Sequence, residues 1–566
     1  MTLPTHKPRT LLVTTALPYA NGPIHIGHMV EHVQADIWVR YQKIIGNECT
    51  FLCADDTHGT PILIRARNEG RTPENLIASI YDLHVNTFKT YQIHFNHYSS
   101  TNSPTNKDFC EEFYLAMRDQ GHCQLKNIQQ TYCEHDKMFL PDRFVKGTCP
   151  NCKAENQYGD SCDMCGATYS PTDLKNPKCS LCGNTPVLKD SEHVFFKLND
   201  FKDFLREWVP QHTSHEISKK LNEWLKDDLR DWDISRDEPY FGFRIPGYDN
   251  KYFYVWVDAP IGYVSTTKDF FKDQPEKFNA LWRSDQGTEL YHFIGKDIVY
   301  FHTLFWPAML KAANYRTPNQ VFVHGFLTVN GEKMSKSKGT FIEADHFAKY
   351  AEPTFLRYYY ACKLSSGLDD IDLNIEDFVQ RVNSDLVGKY VNLGSRSAQL
   401  LHKYTGGFIR DIQNQENLKK LISLLNASTE LRTHYENRDY AKAIQLIRSH
   451  IDLINQYFDQ MAPWKTLKET PDSAEALEAL SVALNAFRIF TIYLTPVIPD
   501  ISSKVAKLFQ EPELFWPAVP KDFSPEDYKK SYYYKESITL NPFEHLIQRL
   551  DIKAVQNVMQ QPQEPS

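Results

Sequence analysis

Two short clusters carry residue types that act on phosphate. The first is His25-Ile26-Gly27-His28, set just after an apolar, β-rich run over residues 10–17 and a turn over 18–23. Histidines three apart share one face of the first turn of a helix. Gly27 admits a ligand close to the backbone. A helix N-terminus offers free N–H groups and the positive end of its dipole, and imidazoles there can donate to phosphate oxygens as charge builds in a transition state. The second is Lys333-Met334-Ser335-Lys336-Ser337, followed by Lys338 and Gly339. It comes after Val329-Asn330-Gly331-Glu332, a hairpin-turn signal. Lys333 and Lys336 on a loop of small residues can swing onto a polyphosphate as point charges and close over it.

A third cluster points to metal. Seven of the 12 cysteines lie between Cys133 and Cys182, six of them as C-x-x-C pairs. In a long chain without an apolar leader, such pairs read as metal ligation in a reducing compartment. Cys149, Cys152, Cys162 and Cys165 have the spacing of a closed tetrahedral zinc site, structural because four thiolates leave no open position. Cys179 and Cys182 need two more ligands. Cys133 and Asp136 lie upstream, with His135 as a competing donor, and interleaved ligation that joins Cys149/Cys152 to Cys179/Cys182 stays open. Cys49, Cys53, Cys110, Cys123 and Cys362 are isolated and read as buried thiols.

The elements that must hold these groups follow from periodicity. Residues 10–17 suit a buried parallel strand, and Ile26, Val30, Val33 and Ile37 recur at helical spacing. Strand, glycine turn and helix open a nucleotide-binding α/β unit. A second strand over Cys49–Cys53 ends at Ala54–Gly59, where such folds place ligands. From 119 to 238 the pattern breaks. It resumes with strands at Tyr252–Val257, Tyr291–Ile294 and Val321–His324. From about 376 the chain reads as helices, with Ile444, Ile447, Ile451, Ile454 and Phe458 on one face and Leu418, Leu421, Ile422 and Leu425 on another.

The chain has 566 residues, 42% hydrophobic and 24% charged, with a net charge of −8. That is the balance of a multidomain globular protein and excludes a strongly basic nucleic-acid wrapper, though not one local basic face. No run of 18 apolar residues is present, which reads as no membrane span, and no secretory or transit signal is visible.

Together, His25–His28 and Lys333–Ser337 resemble the HIGH and KMSKS signatures of class I aminoacyl-tRNA synthetases. The segments Ala16–Gly22, Phe51–Thr60, Val255–Tyr263 and Tyr291–His302 are similar to methionyl-tRNA synthetases, and the resemblance runs from about residue 8 to 550. It implies an α/β fold: a Rossmann-like catalytic domain in two halves, 1–118 and 239–325, with a zinc-bearing connective insertion at 119–238. A KMSKS-loop and stem-contact region at 326–390 and an all-α anticodon-binding bundle at 391–550 would follow. A tail at 551–566 would end the chain, disordered from Gln560.

The resemblance also implies roles. Leu17, Tyr19, Trp256, Ala259, Pro260, Tyr263, Ile298 and His302 would line a methionine pocket, and Asp56 would bind the α-ammonium. His25, Gly27, His28, Gly295, Asp297, Lys333 and Lys336 would bind ATP, with His25, His28, Lys333 and Lys336 catalytic. Asn392, Arg396 and Trp464 would read the anticodon, with Trp464 exposed after a helix-ending Pro463. The implied activity is ATP-dependent methionine–tRNA ligation, with Mg2+ accompanying ATP and one or two Zn2+. Implied partners are ATP, L-methionine and methionine tRNA, in a cytoplasmic monomer, since no room remains for the C-terminal OB-fold module that many relatives carry. Two rivals are a synthetase for another apolar amino acid and a zinc-knuckle tRNA-binding protein without catalysis.

Overall fold

The computed structural model describes all residues except 1–6, 142–143, 160–161, 163, 166, 168, 170, 285–286, 335–339, 521 and 560–566. Lys336, predicted to be catalytic, and the tail from Gln560, predicted to be disordered, lie outside the described residues.

Five parallel strands form the central sheet: β1 (Thr10–Thr15), β2 (Glu48–Asp55), β3 (His97–Ser100), β4 (Thr288–Gly295) and β5 (Gln320–His324). Their order is β5-β4-β1-β2-β3, and every neighbouring pair is parallel. Chain order reverses between β1 and β4, so their C-terminal ends flank a crevice, the position where doubly wound sheets bind ligands. Both faces of the sheet are covered, which is why its strands read as near-continuous apolar runs.

Helix α1 (Ile26–Ile44) follows β1 and is buried along most of its length. The helical half of the chain grips it. Tyr440 donates to the Gln34 carbonyl at 2.9 Å, and Trp38 donates to the Glu436 carbonyl at 3.1 Å. Arg357, wholly buried, donates to Asp36 at 2.7 Å and to the Val497 carbonyl at 2.9 Å.

Between the sheet halves lies a long antiparallel pair, Cys123–Cys133 with Val187–Phe196, in register from Cys123↔Phe196 to Tyr132↔Val187. A small sheet of Val145–Thr148, Gln157–Tyr158 and Lys175–Cys179 sits at its tip and carries the cysteine pairs. The helices Lys202–His212 and His215–Trp224 then return to the catalytic body, where Leu205, Trp208, Val209 and Leu221 share a core with Leu12, Leu52 and Leu290.

One predicted strand is corrected. Tyr252–Val257 is not a strand of the central sheet. Lys251–Phe253 pairs antiparallel with Ser235–Asp237, and helix α2 (Val255–Phe270) begins at once. Helix α2 is buried on nearly all sides, and an all-round apolar run cannot be told from a buried strand by periodicity.

The helical half packs around Ala474–Leu494. By length and composition this helix could cross a membrane, but 94% of its apolar window is buried inside the bundle. Its polar Asn485 and Arg488 are paired there, Asn485 donating to the Lys535 carbonyl at 3.0 Å and Arg488 to Glu511 at 2.7 Å. The helix Ile552–Met559 packs Val555 and Val558 inward, and Asn557 offers its carbonyl to His346 at 3.1 Å.

Candidate active site and metal centres

His25 caps α1. Its Nδ1 accepts from the His28 backbone N–H at 3.3 Å, and the His28 Nδ1 accepts from the His25 backbone N–H at 3.4 Å. The rings stack with centroids 3.5 Å apart. Both rings face the cavity, His28 open to it and His25 half-covered, and loss of water around them, ahead of any charge, pushes the His25 imidazole down to about 4 and holds His28 below its ordinary range. Both rings are therefore neutral near pH 7. With Nδ1 accepting, the single ring proton of each is on Nε2. The arrangement is a pair of N–H donors at a helix N-terminus, suited to an anion.

Gly27 is required sterically, since a Cβ there would fall 2.9 Å from the His25 ring and 3.3 Å from Met334 Cε. Met334 belongs to the second motif, so the two motifs, about 300 residues apart in sequence, meet. Backbone pairing fastens them: Ile26 donates to the Ile342 carbonyl at 3.0 Å and Ala344 to the Ile24 carbonyl at 2.8 Å. Phe341 stands edge-on to His25 at 5.1 Å. The predicted hairpin forms, with Leu327–Val329 against Glu332–Lys333 and both turn residues, Asn330 and Gly331, at positive φ. That is the backbone an Asn-Gly turn favours.

A cavity of 1020 Å³ opens at the crevice between β1 and β4. His25, Gly27, His28, Lys333, Gly295 and Asp297 all line it. Gly295 lets the Asp297 carboxylate fold back onto the strand end, because a Cβ there would meet Oδ1 at 2.6 Å. Of the nine predicted methionine contacts, Leu17, Tyr19, Asp56, Trp256 and Ile298 line the cavity. Asp56 follows β2, and its Oδ1 is buried without a partner among the described residues. Burial, together with Asp258 and Asp55, raises its carboxyl well above the usual range. Trp256 lies flat on Phe301, rings 3.9 Å apart.

Ala259, Pro260, Tyr263 and His302 do not line the cavity; they are buried behind its wall. His302 donates through Nδ1 to the Ile298 carbonyl at 3.1 Å, so Nε2 accepts from the Tyr263 hydroxyl at 2.8 Å. Burial lowers His302 to about 4, which keeps that tautomer neutral.

Residues absent from the sequence reading also line the cavity. Glu31, one turn beyond His28 on α1, lies 3.5 Å from His324 Nε2, and burial raises its carboxyl to about 7. A lone acid at i+3 from His28 was its only signal. Arg236, stacked at 3.8 Å over Tyr254, comes from the segment that returns from the insertion and had no signal at all.

Of the three predicted anticodon residues, Arg396 and Trp464 meet, and Asn392 lies on the same helix as Arg396. Asn392 opens the helix Asn392–Thr405, Arg396 lies one turn on, and its guanidinium sits 4.4 Å over the Trp464 ring. Pro463 does not end a helix. Ala462, at φ 40°, ends Tyr440–Met461, and Pro463 begins Pro463–Glu469. A proline in the first turn needs no hydrogen-bonded N–H. Trp464 is half-buried rather than exposed, because it packs on Phe458 at 5.5 Å.

The metal candidates form two separate cages. Cys149, Cys152, Cys162 and Cys165 converge with Sγ pairs at 3.4 Å and 3.8 Å. Cys133, Asp136, Cys179 and Cys182 converge likewise, with Asp136 Oδ2 3.2 Å from both Cys133 and Cys179 Sγ. These sulfur separations are far too long for disulfides and suit donors around one tetrahedral ion. His135 stays outside the second cage, exposed, with Nδ1 3.1 Å from Asp136 Oδ1.

The chain is similar to known proteins. Residues 11–398 match the family described as tRNA synthetases class I (M), and 411–524 match the anticodon binding domain of methionyl tRNA ligase. A methionine–tRNA ligase of Bdellovibrio bacteriovorus is 54% identical, over 98% of this chain and 78% of that protein. One from Thiobacillus denitrificans is 49% identical, over 97% and 78%. A Mycobacterium tuberculosis methionyl-tRNA synthetase in complex with methionyl-adenylate superposes with a TM-score of 0.73 at 24% identity, over 89% of this chain and 94% of that one, a likeness of fold. With its class I core, its anticodon domain and near-complete coverage by relatives of about half identity, the chain belongs to the methionyl-tRNA synthetase family.

Proposed function

We propose that this chain activates methionine with ATP to methionyl-adenylate and pyrophosphate, then esterifies the 3′-terminal adenosine of methionine tRNA. The observation that carries this reading is the lining of one cavity. It brings two neutral imidazole donors and Lys333 together with Asp56, a carboxyl group with one buried oxygen unpaired among the described residues. A polyphosphate and a zwitterionic amino acid are matched to those groups.

In this reading a methionine carboxylate oxygen attacks the α-phosphorus in line while the bond to the β-phosphate oxygen breaks. The Nε2–H groups of His25 and His28 hold phosphate oxygens, and Lys333 and Lys336 neutralise the departing pyrophosphate. Asp297 accepts from ribose hydroxyls. Asp56 pairs with the α-ammonium. Leu17, Tyr19, Trp256 and Ile298 meet the thioether, for which aromatic rings are favourable neighbours. Tyr263 and His302, with Ala259 and Pro260, back that wall. No residue acts as a covalent nucleophile. Mg2+ bound with ATP supplies charge neutralisation on the phosphates.

Asn392, Arg396 and Trp464 would take an unpaired anticodon base by stacking and edge hydrogen bonds. The donor sets of both cages fit Zn2+, one with four thiolates and the other with three thiolates and a carboxylate. We also propose that the chain acts in the cytoplasm as a monomer.

The test is amino-acid-dependent ATP–pyrophosphate exchange with each of the twenty amino acids, without tRNA. Exchange with methionine alone is expected. Exchange with another amino acid would overturn the pocket assignment, and none from a folded, zinc-loaded sample would leave a tRNA-binding protein. Lys336→Ala should lower kcat about a hundredfold with the methionine KM nearly unchanged.

A further inference from the structure

The loop over residues 18–24, which joins β1 to the His25 cap, is held in part by a buried histidine from outside the sheet. His84, on the helix Pro73–Thr90, is fully buried. Its Nε2 lies 2.7 Å from the Gly22 carbonyl oxygen and its Nδ1 2.7 Å from Oδ1 of Asp55, the last residue of β2. A carbonyl oxygen only accepts, so Nε2 carries a proton. Nδ1 faces a buried carboxylate that also accepts from the Tyr98 hydroxyl, so a second proton lies between Nδ1 and Oδ1. Whichever atom owns that second proton, Gly22 receives a donated N–H.

Burial alone would lower the His84 pKa, but Asp55, the Gly22 carbonyl and Asp345 outweigh it and hold the pKa above the ordinary value. A protonated His84 also acts on the catalytic helix: after burial, it is among the neighbours that lower His28 and His32. The start of the loop is tied to the chain beyond β2, Ala20 donating to the Asp56 carbonyl at 2.8 Å and Asp56 to the Pro18 carbonyl at 2.9 Å. Its far end is tied by Ala344 to Ile24. Between these ties stand Arg65, donating to the Asn21 carbonyl, and His84 on Gly22, three residues before the cap.

We propose that His84 is a positioning residue for adenylation: its Nε2–H holds the Gly22 carbonyl and, through that loop, sets where His25 and His28 meet the α-phosphate. This rests on the methionine-activating reading above.

Two near-isosteric variants separate this role from simple core support. In His84→Gln the amide nitrogen can take the Nε2 position and keep the bond to Gly22. In His84→Asn it can take the Nδ1 position and keep only the bond to Asp55. Both remove the ring and its charge. In methionine-dependent ATP–pyrophosphate exchange, kcat should stay within about threefold of wild type for His84→Gln and fall about tenfold or more for His84→Asn, the methionine KM moving less than kcat. Hydrogen–deuterium exchange across residues 18–28 should rise in His84→Asn and not in His84→Gln. Equal losses in the two variants, or unchanged protection of 18–28 in His84→Asn, would reduce His84 to core support and overturn the proposal. A wild-type chain without methionine-dependent exchange would overturn the functional reading, and this role with it, whatever the variants do.

Discussion

His25 and His28 cap each other, each Nδ1 taking the other's backbone N–H, so the helix start that organises the site also fixes the tautomer of both rings. Capping and ligand donation therefore use different nitrogens of one side chain, and substitution can part them. His25→Asn keeps a strong N-cap acceptor but loses the Nε2 donor. Its melting temperature should stay within about 2 °C of wild type, while kcat for pyrophosphate exchange falls about a hundredfold. A matching loss of stability would show that the cap, not the free nitrogen, is what matters.

Gly27→Ala should act on the same pair from the other side. The added Cβ lies 2.9 Å from the His25 ring, which must move off its stack. Exchange kcat should drop at least tenfold, with α1 still folded by circular dichroism, because alanine is the better helix former.

Glu31 makes stability depend on pH in a defined direction. Its folded pKa is raised to about 7 by burial, above the ordinary value of 4.5. The contribution is thus fully present below about pH 4.5 and is lost as pH rises through about 7. Glu31→Gln removes the cost of a buried charge. Chemical denaturation should find it more stable than wild type at pH 8, by up to about 3 kcal/mol, and nearly equal at pH 5. Equal stabilities at pH 8 would place water or a cation at this carboxylate.

The two cages predict a metal count. The wild-type chain should carry two zinc ions by mass spectrometry of digested protein. Asp136→Ala should carry one, and Asp136→Cys two again. Cys162→Ser should lose the ion of the four-thiolate cage, and chelation of either ion should unfold its knuckle, since ligand binding supplies the folding energy of such small units. Retention of two ions by Asp136→Ala would bring His135 in as the ligand.

Trp464→Ala should weaken tRNA binding without touching adenylation. The stack under Arg396 is worth on the order of 1–3 kcal/mol per base. Aminoacylation kcat/KM for tRNA should fall about tenfold or more, with pyrophosphate exchange unchanged. A fall in exchange as well would make Trp464 a packing residue of the bundle.

Much of this protein is written locally. Strand β1, helix α1 and the Asn330-Gly331 turn follow from periodicity and turn chemistry within a dozen residues, and the paired cysteines by their spacing already point to metal. His25, Gly27, His28 and Lys333 were legible because each sits in a short motif at an element boundary, where chemistry and backbone geometry are set together.

Other features depend on segments far apart in the chain, and only the tertiary structure decided them. Whether Tyr252–Val257 is strand or helix rests on what surrounds it, because a fully buried segment has no polar face to mark its period. Trp464 is half-covered because Phe458 and Arg396 close on it, and Tyr263 and His302 withdraw from the cavity because they satisfy each other. Which sulfurs share a cage, and the charges of Asp56, Glu31 and His84, depend on burial and on partners brought in from distant segments. Residue type and order name the reactive groups. Their protonation and reach come from desolvation and from neighbours that only the folded chain brings together.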